Sequence, residues 1–116
     1  MSARLLMVED EMFVAMLLKD LLTEAGYRVV SAARLEDAMH LARNESIDGA
    51  ILDINLHGET VYPLAEHLEE NGVPFLFASA YSRNSLPEAF RERTIVQKPY
   101  TAHSMMAAVK SMLNGG

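Results

Sequence analysis

Four short stretches of this 116-residue chain carry side chains that could do chemistry together: Glu9-Asp10-Glu11, Asp53, Ser79 and Lys98-Pro99. Carboxylates held within a few ångström repel one another and raise at least one proton affinity unless a cation sits among them. Mg²⁺ suits such a set, being a hard ion that prefers oxygen ligands, keeps several waters and needs neither Cys nor His. An aspartate in that company can act as a nucleophile and form an acyl phosphate. A phosphoryl group at Asp53 would have the cation on one side, Lys98 on the other and the Ser79 hydroxyl as a donor. Taken singly the stretches say little, because Asp and Glu also favour the first turn of a helix.

The positions of these residues matter because each stretch closes or follows a predicted strand. Short apolar runs at 4–8, 28–31, 49–52, 75–78 and 95–97 read as five strands. Between them, Val14, Leu17, Leu18, Leu21 and Ala25 recur at the spacing of one helical face, and Gly26 follows where a left-handed residue ends a helix. Leu35, Ala38, Met39 and Ala42 predict a second helix; Val61, Leu64, Ala65 and Leu68, ahead of Gly72 and Pro74, predict a third. Thr101 is a candidate N-cap for a last helix that carries Met105, Met106, Val109 and Leu113 and stops at Asn114-Gly115. Segment 82–92 has only a short apolar face and one proline, Pro87, and is expected to form a short or mobile fourth helix. Strands alternating with helices imply right-handed crossovers and a parallel sheet covered on both faces, an α/β class. Ligands of such sheets bind beyond the carboxyl ends of the strands, where the four stretches lie.

Composition narrows the function. With 50% hydrophobic residues the chain can bury a real core, and residues 1–116 are expected to form one domain with no output domain. The longest apolar run, 12–18, is far short of the roughly 20 residues that span a bilayer, and no leader pattern opens the chain, so a soluble, cytoplasmic protein is expected. There are no cysteines, which excludes disulfides, thiolate metal sites and a Cys nucleophile. A net charge of −6 with scattered Lys and Arg argues against nucleic acid as a partner. His40, His67 and His103 show no ligand spacing, and the methionines read as core filler on apolar helix faces.

Leu6-Met7-Val8-Glu9-Asp10-Glu11, Ile51-Leu52-Asp53-Ile54-Asn55-Leu56, Ala78-Ser79-Ala80 and Gln97-Lys98-Pro99 resemble, in order, the four motifs of the response-regulator receiver family, and the match covers essentially the whole chain. The resemblance implies a (βα)5 doubly wound, flavodoxin-like sheet of strand order 2-1-3-4-5. It implies that Asp53 is the phosphoacceptor and that Asp10 and Asp53 give carboxylates to Mg²⁺, with the main-chain carbonyl of Asn55 as a further ligand and Glu9 acting through water. Ser79 and Lys98 would hold the phosphoryl oxygens, and a cis bond before Pro99 would fix the loop. A histidine kinase or histidine phosphotransfer protein would be the donor, a further protein the target, and a monomer or weak dimer the expected state.

The chain departs from the family at some positions. Many receivers have an aromatic switch residue where this chain has Ile95, and proline where it has His57. His57 is read as an exposed loop residue and left out of the site. Pro74-Phe75-Leu76-Phe77-Ala78-Ser79-Ala80-Tyr81 resembles a Pro-Phe-x-Phe-Ala-Thr-Gly-Tyr subgroup of receivers, many of them single-domain. Tyr81 then either takes over the switching role or is a surface aromatic. Tyr100 is expected to touch a partner. Four functions remain open at this point: a phospho-switched binding module, a phosphate sink or relay intermediate, a small-ester phosphatase, and a receiver-like domain that binds without phosphorylation. Only the first two keep all of Glu9, Asp10, Asp53, Ser79 and Lys98 in use without needing a second catalytic acid or a substrate cap.

Overall fold

Each sheet strand has apolar residues pointing both ways, so it is stable only with helices on both faces. The computed structural model, which describes residues 2–80 and 83–115, shows that arrangement. Its elements run β1 (Arg4–Val8), α1 (Met12–Glu24), β2 (Arg28–Ala32), α2 (Leu35–Asn44), β3 (Gly49–Asp53), β4 (Asn55–Leu56), β5 (Glu59–Thr60), α3 (Tyr62–Glu70), β6 (Phe75–Ser79), β7 (Ile95–Gln97) and α4 (Ala102–Leu113). The main sheet is parallel, in the order β2-β1-β3-β6-β7, which is 2-1-3-4-5 counted over its five strands. The expected α/β class and strand order are both present.

The period-2 alternation of the strands sorts the core into two layers. Leu6 and Val8, Ala50 and Leu52, and Phe75 and Phe77 pack with residues of α2 and α3 on one face. Leu5 and Met7, Ile51, and Leu76 and Ala78 pack with α1 and α4 on the other. Helix ends follow the sequence signals. After α1, Tyr27 N–H donates to Leu22 O and Gly26 N–H to Thr23 O, with Gly26 at φ +97°; after α3, Val73 and Gly72 repeat the pattern on Leu68 and Glu69, with Gly72 at φ +70°. These are Schellman ends, which glycine closes without strain. Helix α4 opens with a reciprocal capping box between Thr101 and Ser104.

The predicted fourth helix is not an α-helix among the described residues. Two 3₁₀ turns, Arg83–Ser85 and Glu88–Phe90, stand in its place. Pro87 lacks an N–H and disfavours helical backbone at Leu86. The Arg83 guanidinium donates to the carbonyls of Arg91 and Arg93, and Leu86 and Phe90 are the two apolar side chains the segment buries. Phe90 joins an aromatic group with Tyr62, Phe75 and Phe77, stacking on the Tyr62 ring at 5.6 Å.

Two other expectations fail locally. Leu17, placed above on the buried face of α1, is 71% exposed, and Met12 and Met16 are exposed rather than core filler. A seven-residue apolar run wraps nearly two helical turns, so it cannot all face the sheet. Among the described residues, no helix is long and apolar enough to cross a membrane.

Candidate functional site

The carboxyl ends of β1, β3, β6 and β7 bring the candidate residues together. Glu9 and Asp10 directly follow β1, Asp53 ends β3, Ser79 ends β6 and Lys98 follows β7. Register explains the convergence: Val8 lies beside Leu52, Asp53 beside Ala78, and Ser79 beside Gln97, so the four ends finish at one level.

Ligand oxygens of Glu9, Asp10 and Asp53 all lie within 4.8 Å of one another. Lys98 is the cation of this cluster. Its Nζ is 2.6 Å from Glu9 Oε1 and 3.5 Å from Asp53 Oδ2, so in this state it pairs more closely with Glu9 than with the predicted acceptor. Glu9 is nearly fully buried; its second oxygen accepts the Glu11 N–H at 3.1 Å. Both oxygens are therefore engaged by the protein itself. Asp53, at 13% side-chain exposure, sits at the mouth. Burial first, and then the Glu9 charge, push its pKa up to about 7 despite the opposing pull of Lys98. Burial works against the Lys98 ammonium, but the Glu9 hydrogen bond and the Asp53 and Glu9 charges outweigh it and raise the pKa. Ser79 is buried at the strand end, and its carbonyl accepts the Lys98 N–H at 2.8 Å. The Lys98-Pro99 bond is cis, as expected.

The remaining candidates fall at the margins. The Asn55 side chain is exposed and accepts the Gly58 N–H. Ile95 is half-buried and packs on the α2–α3 side of the core, opposite Phe77, with no aromatic ring to swing. Tyr81 lies outside the described residues. Tyr100 is half-buried rather than an exposed tip; it packs on the α1–α4 side, and its pKa is raised by burial first and by the Glu9 charge second.

Two features escaped the sequence reading. A groove of about 690 Å³ runs from Lys98 along α1, lined by Val14, Leu17, Leu21, Pro99 and Tyr100, beside the exposed side chains of Met12, Phe13 and Met16. The apolar run at 12–18 was its signal. The second is a small hairpin, β4 against β5, whose His57 N–H donates to Asp10 Oδ2 at 3.1 Å. Only the Gly58 after it hinted at a turn.

A family model described as "Response regulator receiver domain" matches residues 5–110. The chain belongs to that family. The solution structure of SdrG from Sphingomonas melonis Fr1 is similar, with a TM-score of 0.84 and 36% identity over 97% of each chain. A CheY-like receiver domain protein from Methanospirillum hungatei JF-1 shares the fold, with a TM-score of 0.88 at 23% identity over 99% of this chain and 96% of that one. Among curated proteins, the uncharacterized transcriptional regulatory protein YrkP of Bacillus subtilis (strain 168) is 39% identical over 83 residues, which is 71% of this chain and 36% of that protein. The transcriptional activator protein IrlR of Burkholderia pseudomallei (strain 1026b) is 33% identical over 97% of this chain and 51% of its own length. The chain thus spans about a third to a half of these curated relatives.

Proposed function

We propose that this receiver accepts a phosphoryl group on Asp53 from a phosphohistidine, with Mg²⁺ bound, and that the phosphorylated state changes which protein it binds. The observation that carries the reading is the convergence of the Glu9, Asp10 and Asp53 carboxylates beside Lys98. Three carboxylates against one ammonium leave the ionised cluster with excess negative charge, and an all-oxygen donor set fits a hard divalent ion. Asp10, Asp53 and the Asn55 main-chain carbonyl would hold Mg²⁺ directly, with Glu9 reaching it through water because both its oxygens already accept hydrogen bonds. When bound, the ion supplies positive charge against the phosphoryl oxygens.

Asp53 gives up its proton and attacks: one carboxylate oxygen bonds to phosphorus while the phosphorus–nitrogen bond to the donor imidazole breaks, its electron pair returning to that nitrogen. Lys98, held 3.5 Å from Asp53 by its bond to Glu9, turns part of that interaction to a phosphoryl oxygen. The Ser79 hydroxyl donates to another. The chemistry is confined to phosphorylation and hydrolysis at Asp53, with no other substrate turned over. The donor, a histidine kinase or histidine phosphotransfer protein, must cover the rim of the site to deliver its imidazole. The exposed face of Met12, Phe13, Met16 and Leu17 adjoins that rim through Glu11 and Lys98, and is the surface on which it docks.

Intact mass after incubation with acetyl phosphate tests the chemistry. A phosphate-sized gain is expected for wild type with Mg²⁺ and for neither the chelated protein nor Asp53→Ala; an equal gain in Asp53→Ala would overturn the assignment.

A further inference from the structure

The site's second carboxylate, Asp10, stands in a bend just past β1 and is only half-buried, next to two other carboxylates. Repulsion from Glu9 and Asp53 favours rotamers that swing it away toward water. Across the site, β4 and β5 pair as Asn55 with Thr60 and Leu56 with Glu59, leaving His57-Gly58 as a two-residue turn with φ of +52° and +85°. Positive φ at both central residues is the type I′ pattern, which suits glycine and asks a histidine to adopt an uncommon conformation. The turn is anchored from beneath: Leu56 and Val61 are fully buried, Val61 N–H donates to Ile54 O, and Gly58 N–H donates to the Asn55 side chain. A non-glycine residue held at positive φ persists when its surroundings over-determine it. Here the outcome is that the His57 N–H points at Asp10 Oδ2, 3.1 Å away, while the imidazole is exposed.

We propose that His57 is a positioning residue whose main-chain N–H, presented by this turn, holds the Asp10 carboxylate toward Asp53 and so sets the affinity of the site for a divalent cation. This rests on reading the acidic cluster as a Mg²⁺ site. It assigns to the loop after Asp53 a role that proline, with no N–H and φ near about −65°, could not fill. The bond is to backbone, so what the position requires is a free N–H and tolerance of positive φ, not an imidazole. Groups that orient a metal ligand in this way commonly change affinity by about 10- to 100-fold when removed.

The test is calorimetric Mg²⁺ titration of wild type, His57→Pro and His57→Gly, alone and with Asp10→Ala. His57→Pro is expected to weaken Mg²⁺ binding by about 10-fold or more, and His57→Gly, which keeps the donor and relaxes the turn, to restore it. With Asp10→Ala already present, His57→Pro should cause no further loss; an equal loss there, or wild-type affinity in His57→Pro, overturns the proposal. Should His57→Pro fail to fold, the amide of His57 in Asp10→Ala reports instead: it should exchange with solvent faster and move upfield, and an unchanged amide is the contrary result. If wild type itself binds no Mg²⁺, the reading of the site fails, while the amide result still decides whether His57 holds Asp10.

Discussion

The acidic edge has two flanks built on opposite plans. On one side α1 is a regular 13-residue helix that leaves Met12, Phe13, Met16 and Leu17 in solvent. On the other, segment 83–93 has no α-helix, yet it buries Leu86 and Phe90 and is tied down by the Arg83 guanidinium and a salt bridge from Arg93 to Glu69. The first flank is ordered backbone with exposed large apolar side chains; the second is irregular backbone whose two large apolar side chains, Leu86 and Phe90, are both buried. Regular backbone can present apolar side chains without rearranging, whereas irregular backbone depends for its shape on the few side chains it buries and the side-chain bonds that tie it down. The aromatic group of Tyr62, Phe75, Phe77 and Phe90 joins the irregular flank to β6, the strand that ends in Ser79.

The comparison is sharpest in stability. Phe90→Ala removes a buried ring from the irregular flank and is expected to cost about 3–5 kcal/mol, whereas Phe13→Ala should change stability by less than about 0.5 kcal/mol. Urea unfolding of both variants checks this, and equal costs would erase the distinction between the flanks.

Between the flanks the edge itself should respond to pH. The pKa of Asp53 is raised to about 7 from a reference of 3.8, by burial first and the Glu9 charge second. The folded state therefore keeps a proton that the unfolded chain has lost, so this contribution to stability is complete below the reference value and disappears as pH rises through about 7. Mg²⁺ competes with that proton, so its affinity should climb with pH by up to about tenfold per unit and level off above neutrality. Calorimetry at several pH values measures both; a flat affinity would show that Asp53 ionises freely and that burial does not govern it.

The smallest expected effect concerns the α1 flank alone. Phe13→Ala combined with Leu17→Ala should slow phosphotransfer from a phosphohistidine protein by about tenfold, equivalent to about 1.4 kcal/mol, and leave the acetyl phosphate rate unchanged. Equal slowing with both donors would mean that the face supports the site rather than docking a partner.

Much of this was legible in the sequence for a physical reason. Strands buried on both faces read as unbroken apolar runs, so all five sheet strands were placed to within a residue, and the polar residues that end them marked the site. What stayed hidden depends on contacts that leave no period. Strands β4 and β5 have two residues each, too few to alternate, and the role of His57 belongs to its backbone. The exposed face of α1 was masked because an apolar run does not say which of its residues face the sheet. The 3₁₀ turns depend on Arg83 reaching carbonyls eight and ten residues away. The preference of Lys98 for Glu9 at 2.6 Å over Asp53 at 3.5 Å is a matter of side-chain placement that residue types do not encode.

On the function proposed above, Asp53 alone, of three carboxylates sharing one site, takes the phosphoryl group. Borohydride cleavage of the phosphorylated protein, followed by peptide mapping, converts the acyl phosphate to the corresponding alcohol and reports which residue carried it. Homoserine in place of Asp53, with Glu9 and Asp10 intact, is the predicted result; reduction at Glu9 or Asp10 would contradict it.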